Sequence, residues 1–197
     1  MKHIYVSWSG GADSTYLIQR CIESDEYEMV LAGYVAVRNN MAKVDSELSA
    51  IAKMVPLLME SGKFAYLGVL AEIHLIKSNP NLAFKQMPIW LFAMLTALHP
   101  PVDEIAIGYH QGHGDDASAH LNDLQSIYSA HRPLMHRDPP KLVFPLKDMT
   151  KADLLSRLRP ELRAACVYCE SPIKSGDDHL PCGKCRLCRQ RSLDESR

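Results

Sequence analysis

Ser9-Gly10-Gly11-Ala12-Asp13-Ser14-Thr15 is the stretch whose reading decides the fold of this chain. It follows the apolar run His3-Ile4-Tyr5-Val6-Ser7-Trp8, which reads as a buried first strand, and precedes Tyr16 to Ile22, whose apolar residues recur at helical spacing. A strand, a glycine turn carrying hydroxyls and then a helix make an anion site. The glycines let backbone approach a ligand closely, and the first amides of the helix have no partner within it. The hydroxyls of Ser9, Ser14 and Thr15 add donors. The stretch lacks the Gly-Lys-Ser/Thr of the Walker loop and the G-x-G-x-x-G of the dinucleotide fingerprint. The plainer alternative is a Gly-Gly turn with a Ser or Asp helix cap.

Outward from this loop, strands alternate with helices. Met29–Val37 reads as a second buried strand. Residues Lys43 to Glu60 read as a helix with Val44, Leu48, Ile51, Val55 and Leu58 on one stripe. Phe64–Leu70 is a third strand. Met87–Leu98 is apolar almost all round and reads as a buried helix, with Trp90 and Met94 as core. Asp103–Gly108 is another strand, running into the polar stretch Tyr109–His120. Asn122–Ser129 reads as a helix and Lys141–Leu146 as a last strand. Thr150 can cap a helix over Lys151–Leu158, and Pro160 ends it or lies just beyond it. The pattern predicts an α/β fold, a three-layer parallel sheet covered on both faces, with ligands at the carboxyl ends of the strands. The loops after the first strand and after Gly108 fall on that edge. Residues 1–160 form the expected main domain and 161–197 a Cys-rich segment.

Of the 197 residues 47% are hydrophobic and 23% charged, an ordinary globular balance. The net charge of −1 gives no electrostatic case for a bulk nucleic-acid binder, although Lys184–Arg191 is locally basic. No apolar run reaches the roughly 20 residues of a membrane span. The N-terminus enters a strand without a signal-peptide pattern, so a cytoplasmic location is expected.

Five of the six cysteines fall within Cys166–Cys188. Such clustering argues for metal rather than a distributed disulfide framework. Cys182, Cys185 and Cys188 stand at three-residue spacing, and Cys166 and Cys169 add an upstream pair, so five thiols compete for the four places of a zinc (Zn²⁺) site. A redox dithiol and an iron–sulfur cluster are the alternatives. Cys21 reads as a core thiol. His110, His113 and His120 sit among acidic residues, as a second metal site, as general bases, or simply solvated. Lys151 in the first turn of its helix opposes the dipole, which favours a role in binding anions.

Ser-Gly-Gly-x-Asp-Ser at Ser9–Ser14 resembles the pyrophosphate loop of the N-type ATP pyrophosphatases. Cys169 followed by Cys182-Gly183-Lys184-Cys185-Arg186-Leu187-Cys188 and a basic stretch is similar to the end of the 7-cyano-7-deazaguanine synthases within that family. Glu47-Leu48-Ser49-Ala50, Gly108 with a following acidic pair, and Pro145-Leu146 with Lys151 extend the likeness. The resemblance implies an adenine-nucleotide alpha hydrolase-like fold, and ATP with its phosphates on Ser9, Gly10, Gly11, Asp13, Ser14 and Thr15. It implies adenine near Tyr34, Val35 and Val37, with Gly108 on the same edge. Mg²⁺ is expected on Asp13, Asp115 and Asp116, Lys151 on phosphate, and zinc on Cys169, Cys182, Cys185 and Cys188, with Cys166 the alternative to Cys169. The implied reaction turns a 7-carboxy-deazapurine and ammonia into a nitrile through an acyl-adenylate. A homodimer is suggested by the same likeness. A tRNA-modifying amidating or thiolating enzyme is the rival reading, and a non-catalytic nucleotide-binding module is the reading from another class. The family's arginine–asparagine motif is absent, with Lys85-Gln86-Met87-Pro88 in that place. Its Gly-x-Asn-x-x-Asp segment is rewritten as Gly108–Asp116.

Overall fold

The computed structural model describes residues 1–37, 40–73, 91–95, 101–110, 117–131, 139–176 and 178–189, with backbone alone at 117–120. Five strands form one sheet: β1 (Lys2–Ser7), β2 (Tyr27–Val37), β3 (Phe64–Ile73), β4 (Glu104–Ala106) and β5 (Lys141–Val143). Their order is β3-β2-β1-β4-β5, and every neighbouring pair is parallel. Parallel neighbours need helical crossovers. These are α1 (Ala12–Glu23) after β1, α2 (Met41–Met59) after β2 and α3 (Ala117–His131) before β5. After β5 come α4 (Lys151–Arg157) and α5 (Pro160–Ala165), then a small antiparallel hairpin of β6 (Ile173–Ser175) and β7 (Asp178–Leu180).

Alternation along the strands builds two cores. Ile4, Val6 and Trp8 of β1 and its end, with Val30, Ala32 and Tyr34 of β2, pack with Leu17, Ile51, Met54, Leu154 and Leu162. The intervening Tyr5, Leu31 and Val35 face the other way and join Ile105, Leu91, Met94, Leu124 and Tyr128. The sheet is therefore the middle of three layers, as strands apolar on both faces require. At its amino edge, the buried Glu104 carboxylate accepts from Lys2 Nζ (2.8 Å) and the Tyr27 hydroxyl (2.9 Å), which satisfies a charge in the core margin.

The order places a switch point between β1 and β4, where connections leave in opposite directions along the sheet. A crevice opens outside their carboxyl ends. The strand and helix readings above match these elements, with longer bounds for α1 and α3 and shorter ones for β4 and β5. Only 91–95 of the Met87–Leu98 helix lies among the described residues, and it is helical. The segment after Leu158 holds a further short helix. Pro160 follows the end of α4 but also opens α5, because a proline costs no hydrogen bond in a first turn.

Met54 lies fully buried in α2, against the Thr15 hydroxyl (3.8 Å) and the Cys166 thiol (3.9 Å). Met54→Ala is expected to destabilise the protein by about 2–5 kcal/mol through the cavity left between α2, the loop and the cysteine segment. A fall in the urea midpoint at unchanged slope is the readout.

Candidate functional site

The loop after β1 turns sharply at Gly10, whose φ of +70° lies in the left-handed region. A Cβ there would stand 3.0 Å from the Glu47 carbonyl oxygen of α2. Gly108, just past β4, has the same constraint from the other side. Its Cβ would meet the Asp13 carbonyl carbon and the Ser14 nitrogen at 3.1 Å. The loop and the start of α1 are thus gripped between α2 and the end of β4 at backbone distance.

Gly11 caps α1 without a side-chain hydrogen bond, so the first-turn amides remain as the anion-facing end of the helix. The Ser9 and Ser14 hydroxyls lie 3.2 Å apart above it, and the Ser9 amide donates to Ser14 Oγ (3.3 Å). Thr15 differs from its expected role. Its hydroxyl is fully buried, accepts from Trp8 Nε1 (2.9 Å) and points at Met54, so it supports the loop from beneath. Trp8 is held in turn by edge-on contacts with Phe64 and Tyr66.

A cleft of about 240 Å³ opens here. Of the expected site residues, Ser9, Asp13, Ser14, Tyr34, Val35, Val37 and Gly108 line it together. Lys151 reaches the same place from the first turn of α4, where its ammonium pairs with Asp13 Oδ1. His110 Nε2 lies 3.5 Å from that same oxygen, with a side chain only 15% exposed. Three polar groups, from the segment after β4, from α1 and from α4, therefore meet at the mouth of the loop. Asp115, Asp116 and His113 lie outside the described residues, as does the side chain of His120.

Lys43 and Glu47, on the first turns of α2, also line the cleft and were not among the expected site residues. Their i,i+4 spacing directly after the carboxyl end of β2 is the signal that could have marked them. Glu47 accepts from the Tyr34 hydroxyl and lies 3.9 Å from Lys43 Nζ. Burial holds its carboxyl above the ordinary carboxylate range, against the opposing pull of Lys43 and the tyrosine hydroxyl.

The cysteines resolve into one set and two outliers. The thiols of Cys169, Cys182, Cys185 and Cys188 all lie within 4.8 Å of one another. Cys166 packs on Met54 and Cys21 is buried within α1. The closest pairs, Cys169–Cys185 at 4.0 Å and Cys182–Cys188 at 3.9 Å, approach the edge of about 3.8 Å that four bonds of 2.3 Å in a tetrahedron imply. Backbone amides aim at the sulfurs: Lys184 and Cys185 at Cys182 Sγ, Cys188 at Cys185 Sγ and Cys182 at Cys169 Sγ. The two amides on Cys182 bring its thiol down to about 6, whereas burial pushes Cys188 up to about 12. The donor set fits a single tetrahedral cation.

A parallel, Rossmann-like α/β sheet, with a glycine–serine loop at its switch point and a four-cysteine cluster beside it, is the class that fold and site define. No protein-family model matches the chain, and no curated protein does. Among solved structures, the U34-tRNA thiolase NcsA from Methanococcus maripaludis, determined with its 4Fe-4S cluster, matches with a TM-score of 0.51 and 17% identity. The match covers 98% of this chain and 65% of that enzyme, so this chain spans under two thirds of its neighbour's length. At this identity the likeness establishes the shared fold. Among the described residues, no helix is long and apolar enough to cross a membrane.

The Glu47 shift carries a pH signature. With its folded value raised, the stability it contributes is full below its unfolded value of about 4.3 and is lost as pH rises through the folded value. Glu47→Gln should therefore match the wild type near pH 4 and exceed it in stability at pH 7, measured by denaturation across that range.

Proposed function

We propose that this chain is an ATP-dependent C–N ligase of the N-type pyrophosphatase kind, acting on a small deazapurine carboxylate. The observation that carries the reading is the Ser9–Ser14 loop at the β1/β4 switch point, with Lys151 and His110 gathered on Asp13 at its mouth. Amides of the first turn of α1, with the Ser9 and Ser14 hydroxyls, would hold the phosphates and stabilise the departing pyrophosphate. Adenine would lie along the end of β2, at Tyr34, Val35 and Val37.

In this reaction a substrate carboxylate oxygen attacks the α-phosphorus of ATP and pyrophosphate leaves. Ammonia then displaces AMP from the acyl-adenylate to give the amide. A second ATP activates the amide oxygen, and loss of AMP gives the nitrile. No nucleophilic side chain is needed. Lys151, a compact charge at the loop, would move from Asp13 to phosphate as nucleotide enters. Asp13 Oδ1 meets both Lys151 Nζ and His110 Nε2, and Mg²⁺, which needs one or two carboxylates plus phosphate oxygens, would use the remaining face of Asp13 and offset phosphate charge.

The cysteine centre is read as structural zinc. Thiols within 4.8 Å of one another suit one ion, whereas a four-iron cluster carries each thiolate on its own iron and spreads the sulfurs farther. The second reading is tRNA thiolation, which the name of the fold neighbour favours. Against it, all four clustered cysteines belong to one site, and the net charge of −1 gives no general attraction to nucleic acid.

The test incubates the metal-loaded protein with ATP, Mg²⁺, ammonium and 7-carboxy-7-deazaguanine, and follows products by mass spectrometry. Amide or nitrile together with AMP is the expected result. AMP without either product would move the substrate elsewhere in the class, and thiolated tRNA in a parallel sulfide reaction would replace this reading with the second. Lys151→Ala is expected to lower kcat/KM by about 10²-fold, the scale for one lost transition-state donor, in a pyrophosphate-release assay.

A further inference from the structure

The four-cysteine centre does not stand apart from the cleft. Cys169 is the one ligand candidate that precedes the hairpin, and the residues around it are tied to both walls of the nucleotide site. Two positions before it, the Val167 amide donates to the Gly10 carbonyl at 3.0 Å, and Val167 forms a parallel bridge with Gly11. One position after it, the Glu170 carbonyl accepts from Asn40 Nδ2 at 2.9 Å. Asn40 is also the N-cap of α2, its Oδ1 accepting from the Lys43 amide at 3.4 Å. Lys43, Val44 and Glu47 follow on the cleft-lining face of α2. Gly10 is thus held from one side by α2 and from the other by the chain leading into Cys169.

Cys169 joins the centre through sulfur contacts with the distant knuckle, Cys182 to Cys188. A bound cation draws the four sulfurs together as thiolates and supplies the folding energy of such sites. Losing the ion removes the knuckle's hold on Cys169 and so one of the restraints on residues 167–170, the packing of Cys166 and Val167 on the core being the other.

From these contacts we infer that the metal centre positions the phosphate loop: Val167 and Asn40 transmit metal occupancy to nucleotide affinity. They are positioning residues, since neither donates to a reacting atom. The inference rests on the nucleotide reading above and adds a coupling between two sites. Coupling free energies are reciprocal, so nucleotide must also retain the metal. The expected size is about tenfold in each direction, within the usual range for linked sites.

Two measurements test it. In the first, native metal-loaded protein is mixed with a chromophoric chelator, with and without saturating ATP and Mg²⁺ at fixed free Mg²⁺, and metal release is timed. ATP should slow release about tenfold, and this needs no folded metal-free form. In the second, ATP affinity is measured by calorimetry on loaded wild type and on loaded Asn40→Ser and Asn40→Asp. Both substitutions keep a capping oxygen for α2 but lose the Nδ2 donor to Glu170: Asp carries no donor, and the Ser hydroxyl sits one bond short of the Nδ2 position. Both should weaken ATP severalfold and shrink the protection of the metal, with metal content and melting temperature near wild type. A substitution acting only through helix stability would lower the melting temperature and leave ATP protection intact. Loaded wild type that fails to bind ATP overturns the nucleotide reading, and the coupling with it. ATP that binds while leaving metal release unchanged overturns the coupling alone.

Discussion

Backbone contact at the carboxyl ends of β1 and β4 is the constraint on which the rest of the site depends. Gly10 and Gly108 each face backbone atoms at 3.0–3.1 Å where a side chain would begin. A flexible side chain could yield to a methyl group, but a carbonyl in α2 or an amide in α1 moves only with its helix. The absence of Cβ at these two positions lets α1 begin directly against the end of β4. That in turn delivers Asp13 to Lys151 and His110, which arrive from elements more than ninety residues away in sequence.

The loop divides its hydroxyls by side. Thr15 faces down, completing a chain from the Trp8 indole to the Met54 sulfur, and satisfies the buried polar groups that a tight turn creates. Ser9 and Ser14 face the cleft. The cleft also holds two carboxylates, each met by a lysine: Asp13 by Lys151 and Glu47 by Lys43. This balance suits a site for a highly charged anion. Each lysine is held by its carboxylate, which keeps the walls of the cleft close to charge balance.

Much of this was legible along the chain. The unbroken apolar runs Ile4–Val6 and Met29–Val37 and the helical stripe of Val44–Leu58 place the layers, because burial on both faces makes a strand apolar throughout and burial on one face gives a helix a period of 3.6. The loop was legible because a glycine pair between a strand and a helix has few structural uses. The cysteine spacing announced a four-thiol site because a turn of two residues can aim successive sulfurs at one point. Less visible were Lys43 and Glu47, whose place in the cleft depends on how α2 packs against the loop. The orientation of Thr15 was hidden for a similar reason. A hydroxyl beside a helix start serves a ligand or the core according to which way the helix is rotated, and here Trp8 and Met54 fix the rotation.

By itself, the sequence determined the layered α/β architecture, the loop that opens α1 and the presence of a thiol cluster, because each is written in local spacing. The choice of Cys169 over Cys166 was decided only in three dimensions, where Cys166 packs on Met54 and Cys169 turns toward the knuckle. So was the meeting of Asp13, Lys151 and His110, and so was the tether from Cys169 to Gly10 and Asn40. These are contacts between residues far apart in the chain. Their distances follow from how the strands order themselves in the sheet, which no local pattern encodes.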